Sequence, residues 1–292
     1  MNDGKSRPRI AFQGERGAFS EEAALLLLGA EIELVPCPTF DALFASIGES
    51  KSDLVLAPIE NSLAGSVHRT YDLLLDADLQ ITAEVIHRIV HNLIGMPGAK
   101  AEEIASVESH PVALAQCERF FAEYPKIKRI AAEDTAGSVR KMMEQGDRTR
   151  AAIASGRASE IYGASVLRES VEDHSENYTR FLLLAREPKP DSDANKLSIS
   201  MQLAHQPGSL HRALGVFARR GINMVKIESR PIPGSPWQYR FYLDLQASLA
   251  DADTRAALNE LKECTDSARV LGCYPAFANA AASLNSDQGE AK

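Results

Sequence analysis

Arg186-Glu187-Pro188-Lys189-Pro190-Asp191-Ser192-Asp193-Ala194-Asn195 sets two prolines and alternating charges between two hydrophobic strand patterns. A stretch of this kind cannot continue a buried element, so it reads as an interdomain linker over residues 187–195. The order of patterns differs on its two sides. Upstream, over residues 7–186, short β-rich runs (Arg9–Phe12, Ile32–Val35, Leu54–Ala57, Ile81–Leu93, Arg129–Ala132, Ala151–Ala154, Phe181–Ala185) alternate with amphipathic stretches (Ser20–Leu28, Thr39–Ile47, Val67–Leu75, Pro111–Tyr124, Thr135–Gln145). That alternation predicts α/β architecture with largely parallel sheets. The run from Ile81 is too long for one βαβ step, and is expected to carry the chain from one lobe to another across a cleft. Downstream, over residues 196–278, the order is strand Leu197–Leu203, a helix carrying Leu210, Leu214 and Phe217, strands Met224–Glu228 and Tyr239–Leu245, helix Thr254–Cys264 and strand Arg269–Tyr274. In Tyr239–Leu245 apolar and polar residues alternate, as in a sheet with one covered face. The sum is βαββαβ, a ferredoxin-like module. The tail from Ser283 has too few large apolar residues to order itself and is expected to fray.

Of the 292 residues, 45% are hydrophobic and 25% charged, so two folded cores are affordable at this length. The net charge of -8, without a Lys/Arg block, argues against a nucleic-acid partner. No apolar run approaches the about 18 residues of a membrane helix, and Met1–Pro8 lacks a signal-peptide core, so no membrane partner and a cytoplasmic location are expected. Cys37, Cys117, Cys264 and Cys273 form no CxxC pair, which predicts reduced thiols and no metal site. Small-molecule chemistry is what remains.

Chemistry-bearing residues gather where strands end and helices begin. Gln13-Gly14-Glu15-Arg16-Gly17-Ala18-Phe19-Ser20 is a two-glycine turn into a helix start, which leaves N–H groups for a carboxylate; it is neither GxGxxG nor a Walker loop. Glu60, Asn61 and Ser62 place an acid, an amide and a hydroxyl in consecutive positions after an apolar strand, where an ordinary Asn-Ser turn is the plainer reading. Ser109 and Gln116 flank one expected helix, near the same face and about 10 Å apart along its axis. In Asn177–Phe181, alternation sets Thr179 and Phe181 on one face and Arg180 on the other. His87 and His91 share helical spacing without an HExxH glutamate, and read as structural. Cys117, amid Leu114, Phe120 and Phe121, reads as a packed thiol.

In order along residues 9–275, Gly14/Gly17/Ser20, Pro58–Val67 (PIENSxxGxV), Ser109–Cys117 (SHPxALxQC), Asp134–Ala136 (DTA), Ala151–Ser155 (AAIAS) and Asn177–Phe181 (NxTRF) resemble the prephenate dehydratases. The second module resembles an ACT regulatory domain, with Gly208-Ser209-Leu210 where that family has GAL and Glu228-Ser229-Arg230-Pro231 as its ESRP. The resemblance implies a two-lobed catalytic domain like periplasmic binding proteins, and decarboxylative dehydration of prephenate to phenylpyruvate without cofactor or metal. It further implies Thr179 as donor to the leaving hydroxyl, and Glu60, Asn61, Ser62, Ser109, Gln116 and Arg180 around the substrate. Feedback by phenylalanine would act at Gly208, Ser209, Leu210, Asn223, Glu228 and Ser229, in a homo-oligomer (dimer or tetramer). Two alternatives stand beside this reading. Arogenate dehydratase is one, since Glu60–Leu75 is similar to the plant enzymes; a metabolite sensor without turnover is the other. Prephenate is expected to be preferred about tenfold or more, which needs only about 1.4 kcal/mol.

Overall fold

The computed structural model describes residues 7–187 and 191–277; the tail expected to fray from Ser283, and linker positions 188–190, lie outside the described residues. Along the upstream part the elements are β1 (Arg9–Gln13), α1 (Phe19–Leu28), β2 (Glu33–Cys37), α2 (Phe40–Gly48), β3 (Leu54–Asn61), β4 (Gly65–Ser66), α3 (His68–Asp76), β5 (Gln80–Arg88) and β6 (Asn92–Gly95). There follow β7 (Ser106–Ser109), α4 (Pro111–Ala115), α5 (Glu118–Glu123), β8 (Lys128–Ala131), α6 (Thr135–Gln145), β9 (Arg150–Ala154), α7 (Gly156–Tyr162), β10 (Ser165–Arg168) and β11 (Tyr178–Ala185). The first sheet runs β2-β1-β3-β11-β5, with β4 paired to β3, and the second runs β10-β6-β9-β7-β8. Pairs β1–β2 and β1–β3 are parallel, as are β7–β8 and β7–β9. The second sheet is nonetheless mixed, because β6 pairs antiparallel with both β9 and β10.

The long run from Ile81 does cross between sheets: β5 ends in the first, β6 begins in the second, and Ile89, Val90 and His91 bridge them. Two expectations change. The helix expected over Pro111–Tyr124 breaks at Gln116-Cys117 into two short helices, so Gln116 caps a five-residue helix and the axial spacing from Ser109 does not apply. The break is held by Asp173, whose carboxylate accepts the Glu118 and Arg119 N–H groups at 2.8 Å each, while its own N–H donates to the Gln116 carbonyl at 2.7 Å. Strands β7 and β10 were not visible as patterns, being four residues each with Ser, Glu or Arg among them.

One glycine is dictated by packing. Gly17 sits at φ 85°, and a Cβ there would lie 2.7 Å from the Ala158 Cα of α7. Beside it, Glu21 is fully buried, accepting from Gly17 N at 3.0 Å, Arg16 Nε at 2.7 Å and Arg157 Nε at 2.7 Å. Burial raises that carboxyl's proton affinity, but the Arg16 hydrogen bond, the Gly17 amide and Arg157 outweigh it and hold the pKa below the usual value.

The downstream module comprises β12 (Lys196–Gln202), α8 (Ser209–Ala218), β13 (Met224–Ile232), β14 (Ser235–Leu245), α9 (Ala252–Glu263) and β15 (Ser267–Tyr274). Its antiparallel sheet has the order β13-β14-β12-β15, the ferredoxin-like arrangement. Leu197, Ile199, Met201, Leu243 and Leu245 pack with Ala213, Val216, Phe217, Ala257 and Leu261 in one core. The described residues divide into one compact unit up to Ala77 with Val85–Leu182, and another of Asp78–Glu84 with those from Leu183 onward. Among the described residues no helix is long and apolar enough to cross a membrane.

Candidate active site

Within the first unit a cavity of about 420 Å³ opens where both sheets end their strands, a size suited to a small molecule. Its wall takes Gln13 and Gly14 from the end of β1, Ala18 to Ser20 from the start of α1, Asn61 from β3, and Ile89 and His91 from the crossing segment. His110, Gln116, Glu133, Asp134, Thr135, Thr179 and Phe181 complete its chemistry. Helix α1 begins at this wall with no side-chain cap on its first turn, so its leading N–H groups and dipole are available to an anion. At α6 the corresponding end is occupied, since Asp134 accepts from Gly137 N at 2.6 Å. Burial pushes the Asp134 carboxyl up and the His110 imidazole down. Among the described residues no Lys or Arg lines the cavity, whereas Glu133 and Asp134 do.

The polar floor is one connected set of hydrogen bonds. Leu63 N and Ala64 N donate to Asn61 Oδ1 at 3.0 and 2.8 Å, which fixes which end of that amide is oxygen. Exchanging O and N would set an NH2 against two backbone donors. Asn61 Nδ2 therefore donates, to Asn177 Oδ1 at 2.8 Å, Thr179 Oγ1 at 3.0 Å and the Tyr178 carbonyl at 3.2 Å. Asn177, fully buried, then donates through Nδ2 to Gln116 Oε1 at 2.9 Å. Gln116 Oε1 also meets His91 Nε2 at 2.9 Å. Thr179, buried at the cavity wall, has its oxygen engaged as an acceptor, so its hydrogen is the part left to donate.

Of the residues singled out from the sequence, Asn61, Gln116 and Thr179 are thus brought together on the wall. The other residues expected around the substrate, Glu60, Ser62, Ser109 and Arg180, are not on it. Ser109 is fully buried and donates to the Ile153 carbonyl at 2.6 Å, tying β7 to the neighbouring β9. Ser62 faces outward, donating to Glu176 O and accepting from Tyr178 N at 2.9 Å each, which fastens the turn after β3 to the start of β11. Glu60 sits opposite Ser66 in the β3–β4 pair, and neither it nor Arg180 is on the wall; alternation along β11 turns Arg180 off the face that Thr179 and Phe181 share. His91 and Asn177 are the residues that reading the sequence missed as parts of a site. Asn177 stands in a motif that had been singled out, but nothing local marks a histidine on a β-branched run. Cys117 is a packed thiol, with burial pushing its proton affinity far up.

In the second module Gly208 caps α8 in the left-handed region at φ 80°, with Ser209 buried and Leu210 against the core. Asn223 Nδ2 donates to Gln246 Oε1 at 2.7 Å. Glu228 lies opposite Tyr242, and Ser229 opposite Phe241. Successive strand residues face opposite sides, so a site on one face of the sheet receives the side chain of Glu228 or of Ser229, not both.

A sequence profile for prephenate dehydratase matches residues 10–189, and one for the ACT domain matches residues 197–263. The chain is 45% identical over 286 residues to arogenate dehydratase/prephenate dehydratase 1, chloroplastic, of Arabidopsis thaliana, covering 92% of this chain and 72% of that one. Among solved structures it is similar to prephenate dehydratase of Arthrobacter aurescens in complex with L-Phe, at TM-score 0.83 and 29% identity over 96% of this chain and 97% of that one. It is also similar to GqqA, described as a novel type of quorum quenching acylase, at TM-score 0.85 and 33% identity over 92% and 98%. With residues of five of its six matched motifs on one cavity wall, the dehydratase profile over most of its length and an ACT module following, the chain belongs to the prephenate dehydratase family.

Proposed function

We propose that this chain removes water and carbon dioxide from prephenate, giving phenylpyruvate, at the cavity bordered by Thr179. The observation that carries the reading is the fixed polarity of Asn61, which leaves the Thr179 hydrogen as a donor at the wall. In the reaction the bond from the ring to its carboxylate breaks and that electron pair enters the ring. The C–O bond opposite breaks as the ring becomes aromatic, and the departing hydroxyl takes a proton to leave as water. Aromatisation supplies the driving force; the protein contributes orientation and charge stabilisation. Thr179 donates a hydrogen bond to the departing oxygen, and the start of α1 receives a substrate carboxylate. Thr179 is a poor acid, so the proton is ultimately drawn from water.

A second substrate reading, arogenate, is favoured by the charge of the wall. Prephenate is a dianion, whereas arogenate carries an ammonium that Glu133 or Asp134 can receive, and no Lys or Arg lines the cavity among the described residues. The relative at 45% identity is named for both activities. Measuring kcat/KM for both substrates on one preparation separates them, with prephenate expected to lead by about tenfold. A ratio favouring arogenate moves the substrate and keeps the reaction; binding without product in either case makes the chain a sensor.

Phenylalanine is the proposed effector, acting at the second module through the turn at Gly208, Ser209 and Leu210, with Asn223 and one of Glu228 or Ser229. The L-Phe complex of the Arthrobacter aurescens relative supports this. A homo-oligomer is proposed as the working form.

A further inference from the structure

His91 stands where the chain crosses from the first sheet to the second, and its side chain is 2% exposed. Its backbone is held on both sides: His91 N donates to Glu172 Oε2 at 2.9 Å, and its carbonyl accepts from Val171 N at 2.8 Å. Its ring packs edge-on against Phe19, with centroids 5.4 Å apart and planes at 78°. Packing alone would explain a buried aromatic ring here, but not which nitrogen bears the hydrogen. That follows from the amides. The Asn61 oxygen is fixed by two backbone donors; Asn61 therefore donates to Asn177, and Asn177 to Gln116 Oε1. The Gln116 atom that meets His91 is thus an acceptor, and Nε2 carries the hydrogen. Nδ1 is left with its lone pair and has no partner among the described residues.

We propose that His91 is a positioning residue for the dehydration: as the neutral Nε2–H tautomer it anchors Gln116, and through Asn177 and Asn61 keeps Thr179 presenting its hydrogen to the substrate. The proposal rests on the dehydratase reading above. Burial lowers the proton affinity of the ring, more than Gln116 and Glu172 raise it, which favours the neutral form near neutral pH. Gln116 is oriented by two donors on its oxygen and by its own Nε2, which donates to Asn61 Oδ1 at 3.5 Å; removing the histidine donor takes away the hold on one side of that oxygen. Thr179 itself stays in place on β11, so the loss appears in turnover rather than in substrate binding.

The test uses the full chain and two variants. In His91→Gln the side-chain nitrogen can reach the place of Nε2 and still donate; in His91→Asn the amide is too short to reach Gln116. Expected are a fall in kcat of about tenfold or more for His91→Asn with KM within about threefold, and kcat within about threefold of wild type for His91→Gln. In a Thr179→Ala background, His91→Asn should cost less than about threefold more, because both act through one hydroxyl. Wild-type turnover in His91→Asn, equal impairment in the two folded variants, or additive losses with Thr179→Ala would overturn the proposal. Nitrogen-15 NMR of histidine-labelled wild-type chain reads the tautomer without any turnover: a protonated Nε2 with bare Nδ1 supports it, and the reverse overturns it. Absence of product from wild type would instead count against the dehydratase reading.

Discussion

Asn61 determines what Thr179 can offer, because an amide whose oxygen is already held by Leu63 and Ala64 has only hydrogens to give. Thr179→Ala removes a small side chain and one accepted hydrogen bond, so the fold should persist while kcat falls roughly 10²- to 10⁴-fold. Steady-state kinetics beside a urea melt checks this, and near-normal kcat would remove Thr179 from its role. Glu21 acts on stability instead. Its folded pKa is depressed, so its contribution is complete above the unfolded value of about 4.3 and is lost as pH falls through the lower folded value. Glu21→Gln should therefore lose about 1 to 3 kcal/mol at pH 7, and show a shallower loss than wild type between about pH 5 and 3. Urea titrations at several pH values measure both slopes; parallel slopes would contradict the assignment.

At the scale of elements, the break between α4 and α5 does most to shape the site. A continuous helix from Pro111 would carry Gln116 onward along its axis, whereas the break stops it as a cap facing Asn177 and His91. Asp173 supplies the acceptors that start α5 again, and no residue within the helix itself encodes that. Asp173→Ala is expected to cost about 1 to 2 kcal/mol, as lost caps do, and to lower kcat through Gln116. Denaturation together with kinetics tests the pair of effects; an unchanged melting midpoint would mean that the break persists without its cap. The amphipathic stripes of α1, α2 and α6 were legible from their sequence because each packs by its own period. The break was not, because its cause lies more than fifty positions away along the chain.

For the whole molecule, the division by contacts departs from the division by composition. Asp78–Glu84 belongs with the second unit, where Lys196 Nζ meets Glu84 Oε2 at 2.8 Å and a Cβ on Gly272 would lie 2.3 Å from the Ile81 carbonyl. Cutting the chain at the linker would take Lys196 away from the buried Glu84 carboxylate. Feedback is better tested in the full chain. Gly208→Ala forces an L-residue to φ 80° at the start of α8, and should raise the phenylalanine concentration for half-inhibition by about fivefold or more. Basal kcat should be retained, and unchanged inhibition would move the effector site away from that turn. Association is expected as well. Strand β13 is an edge of its sheet, with Val225 at 46% and Ile227 at 41% exposure, and Trp237 on β14 at 76%. Unpaired strand edges with apolar side chains pair readily with a second copy. Light scattering at micromolar concentration should give at least twice the mass of one chain, and Ile227→Asp should reduce it; a monomeric mass for wild type would remove the expectation.

The resemblance of their motifs to the prephenate dehydratases marked Asn61, Gln116 and Thr179, whereas by itself the sequence determined the α/β order, the βαββαβ module and the crossing run from Ile81. These are properties of periodicity, capping and local residue choice, which short segments carry on their own. Only the tertiary structure decided that Ser109 and Ser62 fasten backbone, that Asn177 and His91 complete the polar floor, and that Asp78–Glu84 joins the second unit. The physical reason is that a hydrogen bond's direction depends on the partner's remaining donors and acceptors. In the polar floor those partners stand up to 118 positions apart, as for Asn61 and Thr179, and no local pattern records them.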